Sequence, residues 1–270
     1  MSKCELIAEI GWNHMGDMSL AEKMILEAAQ SGADYCKFQT WKVKNLKNGP
    51  WDSDGRLEIY NKAELSDKDH STLVDLCKKH NVKFLTSVFN IDDIKFVSSL
   101  SNKAIKIPSH EVYNIDLIKK SCDNFEKIFI SVGACEWKEF NNILNSGIDL
   151  KKIYFMHCVS SYPLSEENVN FPKLLKIKKA HNQIGYSGHL KGIEDAIAAI
   201  SFGAMIVEKH FTIDNDLPGR DNKFALLPSE MKSISNYRDI FSKMNIDKGL
   251  NVQECEMDIY KNYRGRWSKN

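Results

Sequence analysis

Short apolar runs, each closing on a polar or ionisable cluster, recur along this chain. They lie at about 4 to 10, 34 to 39, 83 to 88, 103 to 107, 127 to 131, 152 to 158, 183 to 187 and 204 to 210. Unbroken apolarity over so few residues marks parallel strands buried on both faces. Between the runs the apolar spacing widens to the helical period. Ser19-Leu-Ala-Glu22 has the form of a capping box before Met24, Ile25, Ala28 and Ala29, and Ser66-x-x-Asp69 opens a second helix carrying Leu73, Leu76 and Cys77. Further amphipathic segments are predicted near 91 to 101, 115 to 124, 136 to 146, 171 to 181, 191 to 202 and 229 to 243. Eight strands alternating with eight helices imply right-handed parallel crossovers, and at 270 residues a single-domain (β/α)₈ TIM barrel of the α/β class is the economical closure. A doubly wound open sheet is the alternative, but no G-x-G-x-x-G follows the first strand. The barrel is expected over residues 1 to 270, with about 245 to 270 as a C-terminal extension. The irregular stretch 41 to 65 reads as a functional loop over one mouth.

Composition narrows the partners. Lysine plus arginine (37) nearly balances aspartate plus glutamate (36), so no global field points to nucleic acid or to an anionic membrane, and any anion must be held locally. Seven scattered cysteines without a C-x-x-C pair suggest reduced thiols in a cytoplasm. No stretch approaches the roughly 18 apolar residues of a membrane span, so a cytoplasmic, soluble protein is expected.

A barrel places its chemistry where its strands end. Those ends read Glu9-Ile-Gly-Trp-Asn13-His14, Lys37-Phe-Gln39, Thr86-Ser87, Lys106-Ile-Pro-Ser109-His110-Glu111, Ser131-Val-Gly133, His157-Cys-Val-Ser160-Ser161-Tyr162, Ser187-Gly-His189 and Glu208-Lys-His210. Strand alternation puts Lys37 and Gln39 on one face. His189 and His210 end adjacent strands, about 4.8 Å apart, so two neutral imidazoles could grip one divalent ion and leave positions for water and substrate; two separately hydrogen-bonded histidines are the alternative. Lys37 and Lys106, with hydroxyls at Ser87, Ser109, Ser131, Ser160 and Ser187, form a cationic, donor-rich set suited to a small phosphorylated acid. Glu9, Glu111 and Asp221 are candidates for base, acid or support of a metal, and equally for caps or surface charges.

At these residues the chain resembles the sialic acid synthases, which condense phosphoenolpyruvate with N-acetylmannosamine or a related aldose to make nonulosonic acids. The resemblance runs from Ile7-Ala-Glu9-Ile-Gly-x-Asn13-His14 and Lys37-Phe-Gln39-Thr40 through Lys106-Ile-Pro-Ser109-x-Glu111 and His157-Cys-x-Ser160-x-Tyr162-Pro163 to Gly185-Tyr-Ser187-x-His189 and Glu208-Lys-His210-Phe-Thr212. It implies that His189 and His210 bind a divalent metal, manganese first, with magnesium or cobalt as alternatives. It implies that Lys37, Ser87, Lys106, Ser109, Ser131, Ser160 and Ser187 surround phosphoenolpyruvate, and that Gln39, Glu111, Tyr162 and Asp221 surround the acceptor sugar. Glu9 matches an active-site acid, and Glu111, Glu9 and Lys106 are the expected catalytic groups. A homodimer is one expectation for the assembly.

Three departures shape what is expected. Many members have Ser-Asp-His where this chain has Ser187-Gly188-His189, so a carboxylate that could orient the metal site is expected to be absent. Thr86-Ser87-Val88 replaces the usual Ser-Thr-Pro. Typical members continue into a small antifreeze-like domain whose arginine reaches across a dimer to the acceptor's acyl group, whereas this sequence ends at Asn270; the expected substitute is Arg220, Arg264, Arg266 or a partner subunit, with surface charges as the other reading of these arginines, or else a different sugar is the acceptor. Two other functions compete. A class I aldolase would use Lys37, Lys106 or Lys209 as a Schiff base. A noncatalytic sugar-acid binding or scaffold subunit would bind without releasing phosphate.

Overall fold

Side-chain alternation along eight strands decides the architecture. In a computed structural model, which describes residues 3–267, β1 (Glu5–Glu9), β2 (Tyr35–Thr40), β3 (Lys83–Val88), β4 (Ala104–Ile107), β5 (Lys127–Ser131), β6 (Ile153–His157), β7 (Ile184–Gly188) and β8 (Ile206–His210) pair in sequence order into a closed barrel. Every pairing is parallel, including β1 with β8, where Glu9 stands opposite His210. The protein is a (β/α)₈ barrel, as its hydrophobic pattern predicts, with strand limits within two residues of expectation.

Burial on both faces produces two cores. One set of alternate positions fills the barrel interior with Ile7, Tyr35, Leu85, Ala104, Phe129, Met156 and Ile206. The other set, including Leu6, Phe38, Ile105, Ile130, Phe155, Tyr186 and Val207, packs outward against the helices. Neither face is wet, so the strands read as apolar runs instead of an alternation. The polar inward positions lie at the strand ends, and there the interior opens.

The helices are α1 (Met18–Gln30), α2 (Arg56–Ala63), α3 (Asp67–Lys79), α4 (Asp93–Leu100), α5 (Ile115–Asn124), α6 (Trp137–Leu144), α7 (Phe171–Ala180), α8 (Glu194–Ser201) and α9 (Pro228–Met244). Ser66 and Asp69 form the expected capping box of α3. The cap of α1 differs from the expected Ser19. Asp17 is the N-cap and its carboxylate accepts from the Ser19 and Leu20 amides, because the helix has already begun at Met18.

The 41 to 65 segment is also more ordered than expected, since it contains α2. That helix buries only Ala63, so amphipathic spacing could not reveal it. Aromatic contacts hold it, with the Tyr60 ring 5.0 Å from Trp12 and 5.2 Å from Trp41 between centroids, both edge to face. Gly16 lets the β1 loop approach: it sits at φ +82°, and a side chain there would strike the Lys62 carbonyl. Beyond α9, residues 245–267 form irregular exposed chain with a 3₁₀ turn and one π turn.

Candidate active site

A cavity of about 720 Å³ opens at the carboxyl ends of the strands. Every residue expected in the site lines it except Ser160, which stands one hydrogen bond behind, its hydroxyl 2.8 Å from that of Ser109. The segment around α2 forms its rim through Trp41, Lys42, Arg56 and Tyr60.

The floor is a chain of buried charges. Lys37 Nζ lies 2.7 Å from Glu9 Oε2 and 3.5 Å from Glu208 Oε1. Lys106 Nζ donates to both Glu208 oxygens at 2.9 and 3.0 Å, and the Ser187 hydroxyl donates to the same carboxylate at 3.2 Å. Gln39 completes the row by donating to Glu9 Oε1 at 2.9 Å, held in turn by the Trp41 indole at 3.1 Å. Burial opposes charge on Glu208, but Lys106 and then Lys37 outweigh it and bring the carboxyl down to about 2. Glu9 moves the other way. Burial lifts its pKa, Lys37 opposes the lift and the neighbouring Glu208 charge adds to it. Of two carboxylates flanking one ammonium, Glu9 is the weaker acid. Burial lowers the Lys106 pKa against the pull of Glu208, whereas the two flanking carboxylates overcome burial at Lys37 and raise it.

Two residues beyond Ser187 and Glu208, at the ends of the same two strands, stand the histidines, with ring centroids 5.6 Å apart and His210 beside Glu9 in the register. His189 Nδ1 is 2.8 Å from the Val159 carbonyl, which makes Nδ1 the protonated nitrogen and leaves the Nε2 lone pair free. Burial lowers its pKa to about 4, and burial followed by the His189 neighbour holds His210 well below its ordinary value, so both rings are neutral at pH 7. His210 Nδ1 is buried with no hydrogen-bond partner among the described residues, 3.5 Å from Asp221 Oδ2. Tyr162 covers the pair, its ring 4.0 Å from that of His189. Burial and then Glu9 raise the Asp221 pKa to about 7. No group of three or more His, Cys, Asp or Glu among the described residues is disposed to hold a metal. What faces the cavity is a pair of neutral imidazoles, one of them with an orphaned nitrogen.

Several motif residues do not reach the cavity. Asn13 instead ties the β1 loop to β8 through the Phe211 carbonyl at 3.0 Å, and His14 accepts from the Gly16 amide. His157 faces outward to the Val169 carbonyl. Lys209, a Schiff-base candidate in the sequence, also faces outward and pairs with Asp195 at 2.8 Å. Glu111 lines the wall and accepts from Asn114 at 3.1 Å. Arg220 lines the rim, whereas Arg264 and Arg266 lie over Tyr260 and Tyr263 on the exposed tail. Glu208 was assigned no role from sequence, yet it joins the two lysines. Period-two alternation would have found it, since His210 facing inward requires Glu208 to do the same.

The NeuB family model matches residues 24–247. The chain belongs to the NeuB family. This NeuB-family chain is 36% identical to the N,N'-diacetyllegionaminic acid synthase of Campylobacter jejuni, over 87% of its own length and 75% of that relative. It is 32% identical to the N-acetylneuraminate-9-phosphate synthase of Drosophila melanogaster, covering 91% and 73% respectively. Among solved structures, the N-acetylneuraminic acid synthetase of Leptospira borgpetersenii in complex with citrate superposes with a TM-score of 0.88 at 30% identity, over 98% of this chain and 93% of that one. Relatives named as acid synthases make this NeuB-family chain an enzyme of that kind. No helix among its described residues is long and apolar enough to cross a membrane.

Proposed function

We propose that this NeuB-family enzyme condenses phosphoenolpyruvate with N-acetylmannosamine or a related aldose, releasing phosphate by C–O cleavage to give a nonulosonic acid. The observation that carries the reading is the buried Lys37–Glu208–Lys106 bridge, walled by Ser87, Ser109, Ser131 and Ser187 and faced by two neutral histidines. Both lysine nitrogens sit buried against carboxylates, where a positive charge acts more strongly on an anion than it would in solvent.

In this reading Lys37 and Lys106 offset the charges of the phosphate and carboxylate, and the serine hydroxyls donate to their oxygens. Glu9 positions Lys37 and Gln39, and its raised pKa suits it to take up a proton as an anion arrives. Gln39, Tyr162 and Asp221 stand where the aldose would lie between floor and rim. Carbon 3 of the enol phosphate attacks the aldehyde carbon, positive charge develops at carbon 2, water adds there, and the tetrahedral product expels phosphate. Glu111 stabilises the developing cation or moves the proton.

His189 and His210 would hold a divalent ion, manganese first, because both are neutral, adjacent and open to the cavity. Such an ion would supply Lewis-acid polarisation of the aldehyde. A homodimer and a cytoplasmic location complete the proposal.

The test is incubation with manganese, a panel of aldoses and phosphoenolpyruvate labelled with ¹⁸O at its bridging oxygen. A nonulosonic acid by mass, with the label in the released phosphate, is expected. No product with any aldose, or pyruvate trapped on a lysine by borohydride, would reject the reading. His189→Ala and His210→Ala should each abolish metal-dependent turnover, and full activity in either would remove the ligand assignment.

A further inference from the structure

Gly188 and Asp195 occupy one another's space. Ser187 and His189 face the cavity, so residue 188 between them faces the helical layer. Its backbone is not in the left-handed region, and a side chain would be conformationally permitted. Space forbids it: a Cβ would collide with Asp195 Oδ2, fall 2.5 Å from Tyr186 Cε1 and lie 3.0 Å from Lys209 Cδ.

Asp195 enters that volume from the first turn of α8 and is 2% exposed. Its carboxylate accepts from Lys209 Nζ at 2.8 and 2.9 Å and from the Tyr186 hydroxyl at 3.0 Å. Lys209 Nζ also donates to the Leu190 carbonyl at 2.6 Å. Leu190 follows His189, and Lys209 precedes His210. A single buried carboxylate thus ties together the ends of the two strands that carry the histidines. An ion pair this desolvated is a poor source of stability, and apolar groups of equal volume would serve the core as well or better. Its distinctive product is the relative placement of β7 and β8.

We propose that Asp195 is the positioning carboxylate of the histidine pair, delivered from α8 into the volume that Gly188 leaves open. The carboxylate expected to be absent at Gly188 is supplied instead by Asp195. Residue 188 stands directly opposite Lys209 in the strand register, so a carboxylate placed there could reach the same ammonium once Asp195 is removed. The proposal rests on the histidines being metal ligands, and the experiment separates the two claims.

The measurement is Mn²⁺ affinity by titration calorimetry and electron paramagnetic resonance, at a temperature where melting curves show every variant folded. Wild type should bind. Asp195→Ala should bind about 10- to 100-fold more weakly, the usual cost of removing a group that orients metal ligands. Gly188→Asp alone should also weaken binding, through collision, and Gly188→Asp combined with Asp195→Ala should recover most of the affinity. The apolar pair Asp195→Leu with Lys209→Met should keep or exceed the wild-type melting temperature and still bind weakly, whereas a merely structural pair would restore both. Failure of wild type to bind Mn²⁺ would overturn the ligand reading and this proposal together. Wild-type affinity in Asp195→Ala or in the apolar pair, or no recovery in the relocated variant, would overturn this proposal alone.

Discussion

The two mouths of the barrel use the same side chains for different ends. At the amino-terminal mouth Glu5 accepts from Lys83 and Lys127, each at 2.7 Å, under the hydroxyl of Tyr35. At the carboxyl-terminal mouth Glu9 and Glu208 bracket Lys37 and Lys106. Exposure separates them. The Lys83, Lys127 and Glu5 side chains are 55%, 36% and 22% exposed, whereas none of the upper four exceeds 6%. The lower pairs keep much of their hydration and close a plug. The upper pairs surrender theirs around a cavity, a cost that folding stability alone does not repay. Desolvation beside open space, and not the presence of ion pairs, therefore distinguishes the upper mouth from the lower.

The sharpest way to break the comparison is to remove one upper lysine. Lys106→Met leaves Glu208 with the longer Lys37 contact and the Ser187 hydroxyl. A loss of about 3 kcal/mol in stability is expected from the uncompensated charge, together with a fall in turnover of roughly 10³-fold or more from the missing cation. Lys106→Met with Glu208→Met should regain the stability and none of the turnover, as read by denaturant melts and phosphate release. Recovery of both in the double variant would mean that the bridge is scaffolding, like its counterpart below.

The upper half of this contrast was legible in the sequence because its features repeat with period two. Buried strands appear as apolar runs, and inward polar residues at their ends sort into one site, so the barrel and the strand-end part of the cavity lining were legible. The same rule applied to Glu208-Lys209-His210 separates an inward carboxylate and imidazole from an outward ammonium. Features that depend on packing between distant elements left no such trace. Helix α2 is polar and held by Trp12 from the β1 loop and Trp41 from its own loop. Asp195 looks like an ordinary first-turn helix acid until α8 is laid on β7. The expected cap at Ser19 failed for a local reason, since Asp17 two residues earlier satisfies two amides at once.

A smaller effect sharpens the comparison through pH. The upper mouth and its adjoining loop bury neutral imidazoles, while the lower mouth titrates through Glu5. Burial lowers the His14 pKa from 6.5 to about 4. A depressed histidine contributes stability that is fully present above 6.5 and is lost as pH falls toward 4, because the unfolded chain takes up the proton first. The shift corresponds to about 3 kcal/mol at most. The melting temperature should decline across pH 6.5 to 4, and His14→Gln should make that decline shallower. An unchanged slope would place the acid sensitivity elsewhere.

The smallest effect is expected at the lower mouth. Burial works against the Glu5 charge, but hydrogen bonds from Lys127 and Lys83 carry its carboxyl below the ordinary range. Its contribution is therefore present above pH 4.5 and lost only below it, starting at the acid end of the histidine window. In Glu5→Gln the amide oxygen can still accept a hydrogen bond, and both lysines are exposed enough to hydrate. The expected cost is less than about 1 kcal/mol, shrinking further in high salt, with kcat/KM unchanged. A loss matching that of Lys106→Met, or any change in turnover, would show that the two mouths are coupled through the interior stack of Tyr35, Phe129 and Tyr154. The apolar layer between them would then transmit strain instead of isolating the site from its plug.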